Sequence, residues 1–393
     1  MAITKIEVPE LFDFGSDNSA FKLPTGTTAE RPTSPSNGEM RFNTTTGFVE
    51  YYDTTKAQWW EIDYEGVVPS DNFNSVLYTG NSSTQAITNV GFAPDFVWIK
   101  RRNSAEDHAI YDSVRGINKQ LSSNTIAGEA TNSSPYEGLN SFDSDGFTSG
   151  NNGGTNRSPN TYVAWSWKAG GAAVSNTDGT ITSQVSANTA AGFSIISYTG
   201  ASGTVGHGLD SAPQMIIQKL TSGSQDWYVY IAPGVIDATS NYYYLVLNSS
   251  AGKATTGSTP PTATTFNPVS SSGNYIAYAF HSVAGYSSIG KYTGNGNSTG
   301  PIVNTGFTPK FVLIKATTSD NGGGNWLIYD SARSPSNPRN KRLYPDLGIA
   351  EQSASNYDLD FLTGATKGFQ PKNGANYYGY NTLNVEYIYM AFA

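Results

Sequence analysis

Hydrophobic positions in this chain come in short runs, not in long helical stripes. The runs are rich in Val, Ile, Tyr, Phe and Trp, and each is bounded by Gly, Pro, Asn, Asp or Ser. That pattern predicts β-strands joined by tight turns, since branched and aromatic side chains suit a pleated surface while the bounding residues suit reversal of the chain. No stretch sustains an apolar period of 3.6 residues, so an all-β fold is expected.

The runs also recur in a fixed order. Tyr78-Thr79-Gly80, Tyr198-Thr199-Gly200 and Tyr292-Thr293-Gly294 each open a segment, and each is followed by a proline with a lysine six residues later: Pro94 and Lys100, Pro213 and Lys219, Pro309 and Lys315. The residues between, DFVWI, QMIIQ and KFVLI, read as a strand whose leading proline lacks a donor for the ladder. A second strand follows in HAIYDS, WYVYIA and WLIYDS. The segment closes on YVAWSW from Tyr162, YIAYAF from Tyr275 and YIYMAF from Tyr387. Three repeats of one unit are the economical reading. Each is predicted to be an antiparallel β-sandwich domain of jelly-roll or lectin-like kind with its own core, in tandem over residues 71–170, 191–286 and 287–393.

Residues 171–190, rich in Ala, Gly, Ser and Thr, read as the connector between the first two. Trp98, Trp165, Trp167, Trp227 and Trp326 fall at repeat positions within strands and are predicted core residues. Trp165 and Trp167 share one face by period two, Tyr162 and Ala164 the other, and one of the two faces is expected to be buried. The three lysines are expected to snorkel over a sandwich rim. The last signature predicts that the final residues are tied into a sheet.

Residues 1–70 differ in character. An extended arm carrying Pro24, Pro32 and Pro35 leads into a small meander with strands at 38–43, 48–53 and 58–62. So short a meander cannot bury enough apolar area to stand alone. It is expected to dock on another chain, on a parent particle or on its own copies in a homo-oligomer, with a trimer favoured. Phe42, Tyr52, Trp59 and Trp60 are the candidate attachment or oligomerisation residues.

Composition narrows the chemistry. The absence of cysteine excludes disulfides, thiolate metal sites and cysteine nucleophiles. The three histidines, His108, His207 and His281, fall at unrelated positions of the repeat, so no Ser-His-Asp triad is expected. A net charge of −8 without a basic run argues against nucleic acid. No secretory signal and no apolar stretch of membrane-spanning length is present, which predicts cytoplasmic synthesis and no membrane insertion.

Acidic residues at Asp143-Ser144-Asp145, Asp210 and Asp358-Leu359-Asp360 do not match across the repeats, which disfavours a glycosidase carboxylate pair. Asp143-Ser144-Asp145-Gly146 is a fragment of a calcium loop; a hairpin turn explains it equally, so structural calcium is a candidate and no other cofactor is expected. Asp112 with Arg115 and Asp330 with Arg333 end the second strand of the first and third repeats, whereas the second reads Ile231-Ala232-Pro233-Gly234. They are read as a surface salt bridge or turn cap, with ligand contact as the alternative. Tyr242-Tyr243-Tyr244 and Tyr377-Tyr378 must turn some rings outward. Tyr243 and Tyr378 are therefore candidates for stacking on sugars or against a neighbouring subunit.

GFAPDFVWIK, GFTPKFVLIK, NWLIYDSARSP, YIAYAFHSVAGYSSIGKYTGNG and YIYMAFA resemble a domain of unknown activity found in tandem in virion proteins of marine and cyanobacterial tailed phages. LPTGTTAERPTSPSNGEMRFNTTTGFVEYYD resembles short β-motifs near the N-termini of phage tail-fibre and tail-associated proteins. The resemblance implies a non-enzymatic virion structural protein, assembled in the host cytoplasm. A tail fibre or tail appendage is expected, joined to other virion proteins through its N-terminal arm and presenting its β-domains to a host-surface glycan or protein. A head-decoration protein or capsid fibre is the alternative, and a surface-polysaccharide depolymerase the second.

Overall fold

The computed structural model describes residues 23–46, 48–62, 67–133, 137–200, 202–236, 242–269, 271–318, 324–353, 357–372 and 380–393. The chain forms two compact units, Met1–Glu65 and Gly66–Ala393. Its strands build several antiparallel sheets, as the short apolar runs predict.

In the N-terminal unit Met40–Asn43, Phe48–Asp53 and Gln58–Ile62 form the expected meander, and Thr25–Gly26 of the arm adds a short parallel strand. One face of this sheet holds a buried charge cluster. Glu50, fully buried, accepts from Arg31 at 2.5 Å and from Asn43 at 3.0 Å, with Arg41 at 3.6 Å. Arm residues cover this polar side: Arg41 donates to the Thr27 carbonyl, and Asn43 donates to the Thr28 hydroxyl.

The large unit contains the three repeats, and each builds the same main sheet. In the first, the order is Phe73–Thr79, Thr161–Trp167, Phe96–Arg101, Ala109–Asp112. The third follows it with Ser287–Thr293, Glu386–Phe392, Phe311–Ala316 and Leu327–Asp330. In the second, Phe193–Thr199, Asn274–Phe280, Met215–Leu220 and Tyr228–Ile231 form the middle of an eight-stranded sheet. The closing signature thus lies inside each sheet, between the opening strand and the proline-to-lysine strand. The final strand is tied in as expected.

Three expectations are corrected here. First, both faces of the closing strand are buried: Tyr162 through Trp167 are all inaccessible. The reason is a second, smaller layer. Gln85–Ile87, Gly146–Ser149 and Leu139–Asp143 cover the outer face of the first repeat and enclose Val97, Ile99, Tyr111, Tyr162 and Ala164. Val303–Asn304, Lys367–Pro371 and Leu359–Thr363 do the same in the third. Gly146 and Gly368 occupy matching places, at φ of 141° and 151°, where a Cβ would run into the Ile87 and Val303 carbonyl oxygens.

Second, the repeats are not independent: besides an outer core of its own, each contributes to a core shared by all three. The inner faces of all three main sheets meet in one apolar cluster. It holds Phe73, Trp165 and Trp167 from the first repeat, Phe193, Trp227 and Phe280 from the second, and Phe311, Trp326 and Phe392 from the third. The five repeat tryptophans are buried in it, as predicted.

Third, 171–190 is not a free connector. Val174–Asn176 and Ser183–Asn188 are strands that extend the sheet of the second repeat beyond Phe193–Thr199. Ser183, Val185 and Ser186 are buried along Ser183–Asn188, and Val174–Asn176 covers the outer edge of that strand.

The repeats close into a ring through equivalent seams. In each, a loop of one repeat lies on the next. Trp227 donates its indole N–H to the Ser122 carbonyl, and Trp326 to the Val246 carbonyl, both at 2.9 Å. At the matching position of the first repeat stands His108, whose Nε2 lies 2.8 Å from the Tyr344 carbonyl of the third. Backbone bonds accompany each seam: Glu129 to Thr221, Lys253 to Thr317, Glu351 to Arg102.

Candidate functional site

The charged pairs singled out in the sequence are buried parts of these seams and not surface contacts. Asp112 and Asp330 are inaccessible, and each accepts from its arginine at 2.5 Å, Arg115 and Arg333 respectively. Each arginine also caps a strand carbonyl, Arg115 that of Ile110 and Arg333 that of Ile328. The carboxylates then reach across the ring. Tyr278 donates to Asp112 at 2.7 Å, and Trp165 donates to Asp330 at 3.0 Å. Tyr278, Trp165 and Met390 are the same position of the closing signature. Where the second repeat has Ile231 in place of aspartate, its partner position is Met390, and both lie in the shared apolar cluster. Polar seams and the apolar seam are each internally matched, which is why the ion pairs appear twice and not three times.

Lys219 and Lys315 are seam residues as well, and none of the three lysines snorkels. All are inaccessible. Lys219 donates to the carbonyls of Ile126 and Gln225 at 2.8 and 2.6 Å, and Lys315 to those of Ser250 and Gly324 at 3.0 and 2.9 Å. Burial pushes each amine, that of Lys100 included, down to about 8. The Asp143-Ser144-Asp145-Gly146 stretch is a hairpin turn whose carboxylates serve the protein. Asp145 accepts from the Asn89 and Gly91 amides, and Asp143 from the Thr148 hydroxyl. Among the described residues no group of three or more His, Asp or Glu side chains is placed to hold a metal ion, and no helix is long and apolar enough to cross a membrane.

Two surfaces remain as candidates. The first is the uncovered face of the N-terminal meander. Cross-strand register puts Met40, Tyr51 and Trp60 in one row and Phe42 and Val49 in the next, all on the face opposite Glu50. Met40, Tyr51 and Trp60 are 42%, 37% and 42% exposed. Of the four candidates read from the sequence, Phe42 and Trp60 lie on this face. Tyr52 and Trp59 are on the other face, packed against each other at 5.4 Å. Met40, Val49 and Tyr51 were missed, although period-two parity from Phe42 and Trp60 points to them.

The second surface is the outer face of the second repeat. Its second layer consists of two short strands, Val205–Gly206 and Thr265–Phe266, while its main sheet is lengthened by Tyr243–Val246 and Ala254–Thr255. Tyr228, Tyr230 and Tyr244 lie half-buried on this face. Tyr230 pairs directly with Tyr244, and the Tyr228 and Tyr244 rings meet edge to face at 5.4 Å. Tyr243 itself faces the opposite way. It packs against the shared cluster, with the Lys253 ammonium 4.8 Å from its ring centroid. The outward ring is one residue further along, as strand alternation requires. Tyr378 lies outside the described residues.

Fold and seams define a triplicated all-β unit closed on one core. Residues 68–393 match the family described as Domain of unknown function (DUF7483), and the match runs through all three repeats. The chain belongs to that family. No curated protein matches it, and no solved structure does.

Proposed function

We propose that the protein is a non-enzymatic structural component of a tailed-phage virion, a tail fibre or tail appendage. It joins the particle through its N-terminal region and presents the large unit to the host surface. The observation that carries the reading is the open row of the meander: on the face opposite the arm-covered Glu50, Met40, Tyr51 and Trp60 stand exposed side by side. A soluble three-stranded sheet with that face in water is unstable, so the face is built to be covered. Copies of the same chain cover it in a homotrimer, and the trimer multiplies weak host contacts through effective concentration. The ring supplies what an appendage needs, a self-contained rigid body whose functional surfaces are outside its core. The resemblance of residues 23–53 to short motifs of tail-associated proteins points the same way.

Native mass of the purified chain is expected to be that of a trimer, and of a Met40→Ser/Tyr51→Ser/Trp60→Ser variant that of a monomer with an unchanged melting transition of the large unit. A monomeric parent chain would remove the trimer. Antibody labelling of particles is expected on the tail; label on the head would replace the tail reading by head decoration. Release of reducing ends from host capsular polysaccharide would replace the non-enzymatic reading by a depolymerase.

A further inference from the structure

We propose that Tyr228, Tyr230 and Tyr244 form a binding shelf for uncharged saccharide on the outer face of the second repeat. The inference rests on the adhesive reading above and names its receptor class and its site. It comes from comparing the repeats with one another. Tyr230 corresponds to Tyr111 and Tyr329, which are both inaccessible. Their hydroxyls are satisfied inside the protein, Tyr111 on Gln120 at 2.9 Å and Tyr329 on the Tyr357 carbonyl at 2.9 Å. Tyr228 corresponds to Ala109 and Leu327, also fully buried. The strand face that is fully buried in the first and third repeats is half-open in the second, where Tyr228 and Tyr230 pack against the edge of that repeat's outer core.

A half-open core face is ordinarily made polar. Here it is made more aromatic: alanine and leucine positions become Tyr228, and the added strand contributes Tyr244. Tyrosine is the side chain that offers a flat apolar ring together with a hydroxyl at its wet end. Among the described residues the hydroxyls of Tyr228, Tyr230 and Tyr244 meet no hydrogen-bond partner, unlike those of their buried counterparts. The rings are mutually inclined, Tyr228 to Tyr230 at 43° and Tyr230 to Tyr244 at 46°, which makes a shallow cradle.

A ligand for this surface must present flat C–H faces and many hydroxyls, which is the chemistry of a pyranose. The charged side chain whose field reaches the shelf is acidic: Asp226 raises the Tyr228 phenol further, after burial. One Asp226 oxygen accepts from Asn248 at 2.8 Å. A carboxylate can also accept from a sugar hydroxyl, and its charge disfavours anionic ligands.

Saturation-transfer NMR on the full chain with cello-, malto- and chito-oligosaccharides tests this. Transfer to sugar ring protons is expected for at least one series. Tyr244→Ser and Tyr228→Ser are each expected to weaken binding at least tenfold at an unchanged melting temperature, while Tyr244→Phe, which keeps the ring, loses less than threefold. Binding unaltered in both serine variants, no transfer from any series, or a changed native mass on Tyr244→Ser, which would mark a subunit contact, each overturns the proposal. Particle labelling separates it from the functional reading. A chain found on particles that binds no saccharide sinks the shelf alone; a saccharide binder absent from particles sinks the virion assignment alone.

Discussion

At the seam between the first and third repeats, His108 occupies the place that Trp227 and Trp326 hold at the other two. It keeps their function with different chemistry. Trp98 donates to its Nδ1 at 2.8 Å, and an indole N–H can only donate, so the proton is on Nε2 and is given to the Tyr344 carbonyl. Burial pushes the imidazole down to about 3, and the Lys100 ammonium pushes in the same direction. The unfolded chain takes up a proton at this group near pH 6.5 and the folded chain does not until about pH 3. The stability it contributes is therefore fully present above pH 6.5 and is lost progressively as pH falls towards 3. Asp346 works the other way, because burial pushes its carboxyl up to about 7 and folding favours its protonated form as pH drops. A His108→Gln variant is expected to melt lower than the parent at pH 7 but to lose less further stability between pH 6.5 and 4. Melting curves across that range check it, and parallel losses in the two proteins would show that His108 titrates no differently on folding.

At the scale of strands and seams, matching matters more than residue type. Asp112→Ile alone takes the closest carboxylate from the Arg115 guanidinium, which keeps Glu129 and the Ile110 carbonyl, and leaves the Tyr278 hydroxyl buried without its acceptor, and is expected to cost about 3–5 kcal/mol. Adding Arg115→Leu and Tyr278→Met reproduces the character of the Ile231 and Met390 seam and is expected to recover most of that loss. Urea denaturation of the single and triple variants decides it; a triple variant no better than the single would mean that the seam needs its charges. These pairings also mark what could be read from the chain. Strand positions, their order and the face shared by Trp165 and Trp167 follow from local alternation, which any strand must obey. That Asp112 faces Tyr278, or that Lys219 holds the Ile126 carbonyl, depends on ring closure between distant segments, and local pattern carries no trace of it. One signal was present: aspartate is missing from the second repeat, and the donor is missing from the third. The candidate tyrosines were legible as a cluster, but which of Tyr242, Tyr243 and Tyr244 faces out depended on a strand whose start the run of identical residues conceals.

For the whole large unit, closure puts its beginning beside its end. Phe73, in the strand that opens the unit, and Phe392, in the strand that closes it, stack with ring centroids 5.2 Å apart at 25°. Val67, just before the first strand, packs against the same cluster. Entry and exit of the chain therefore share one point of the ring, and the order in which the repeats follow one another is a matter of where the polymer happens to be cut. A circular permutant that joins residue 393 to residue 67 through a short Gly/Ser link and opens the chain between Phe280 and Tyr286 is expected to fold to the same ring. Matching far-ultraviolet dichroism and a melting temperature within about 10 °C of the parent large unit would show it; loss of the cooperative transition would show that the break itself carries the fold. The same adjacency would let the unit sit as an insertion within a surface loop of another protein, without prying that host apart.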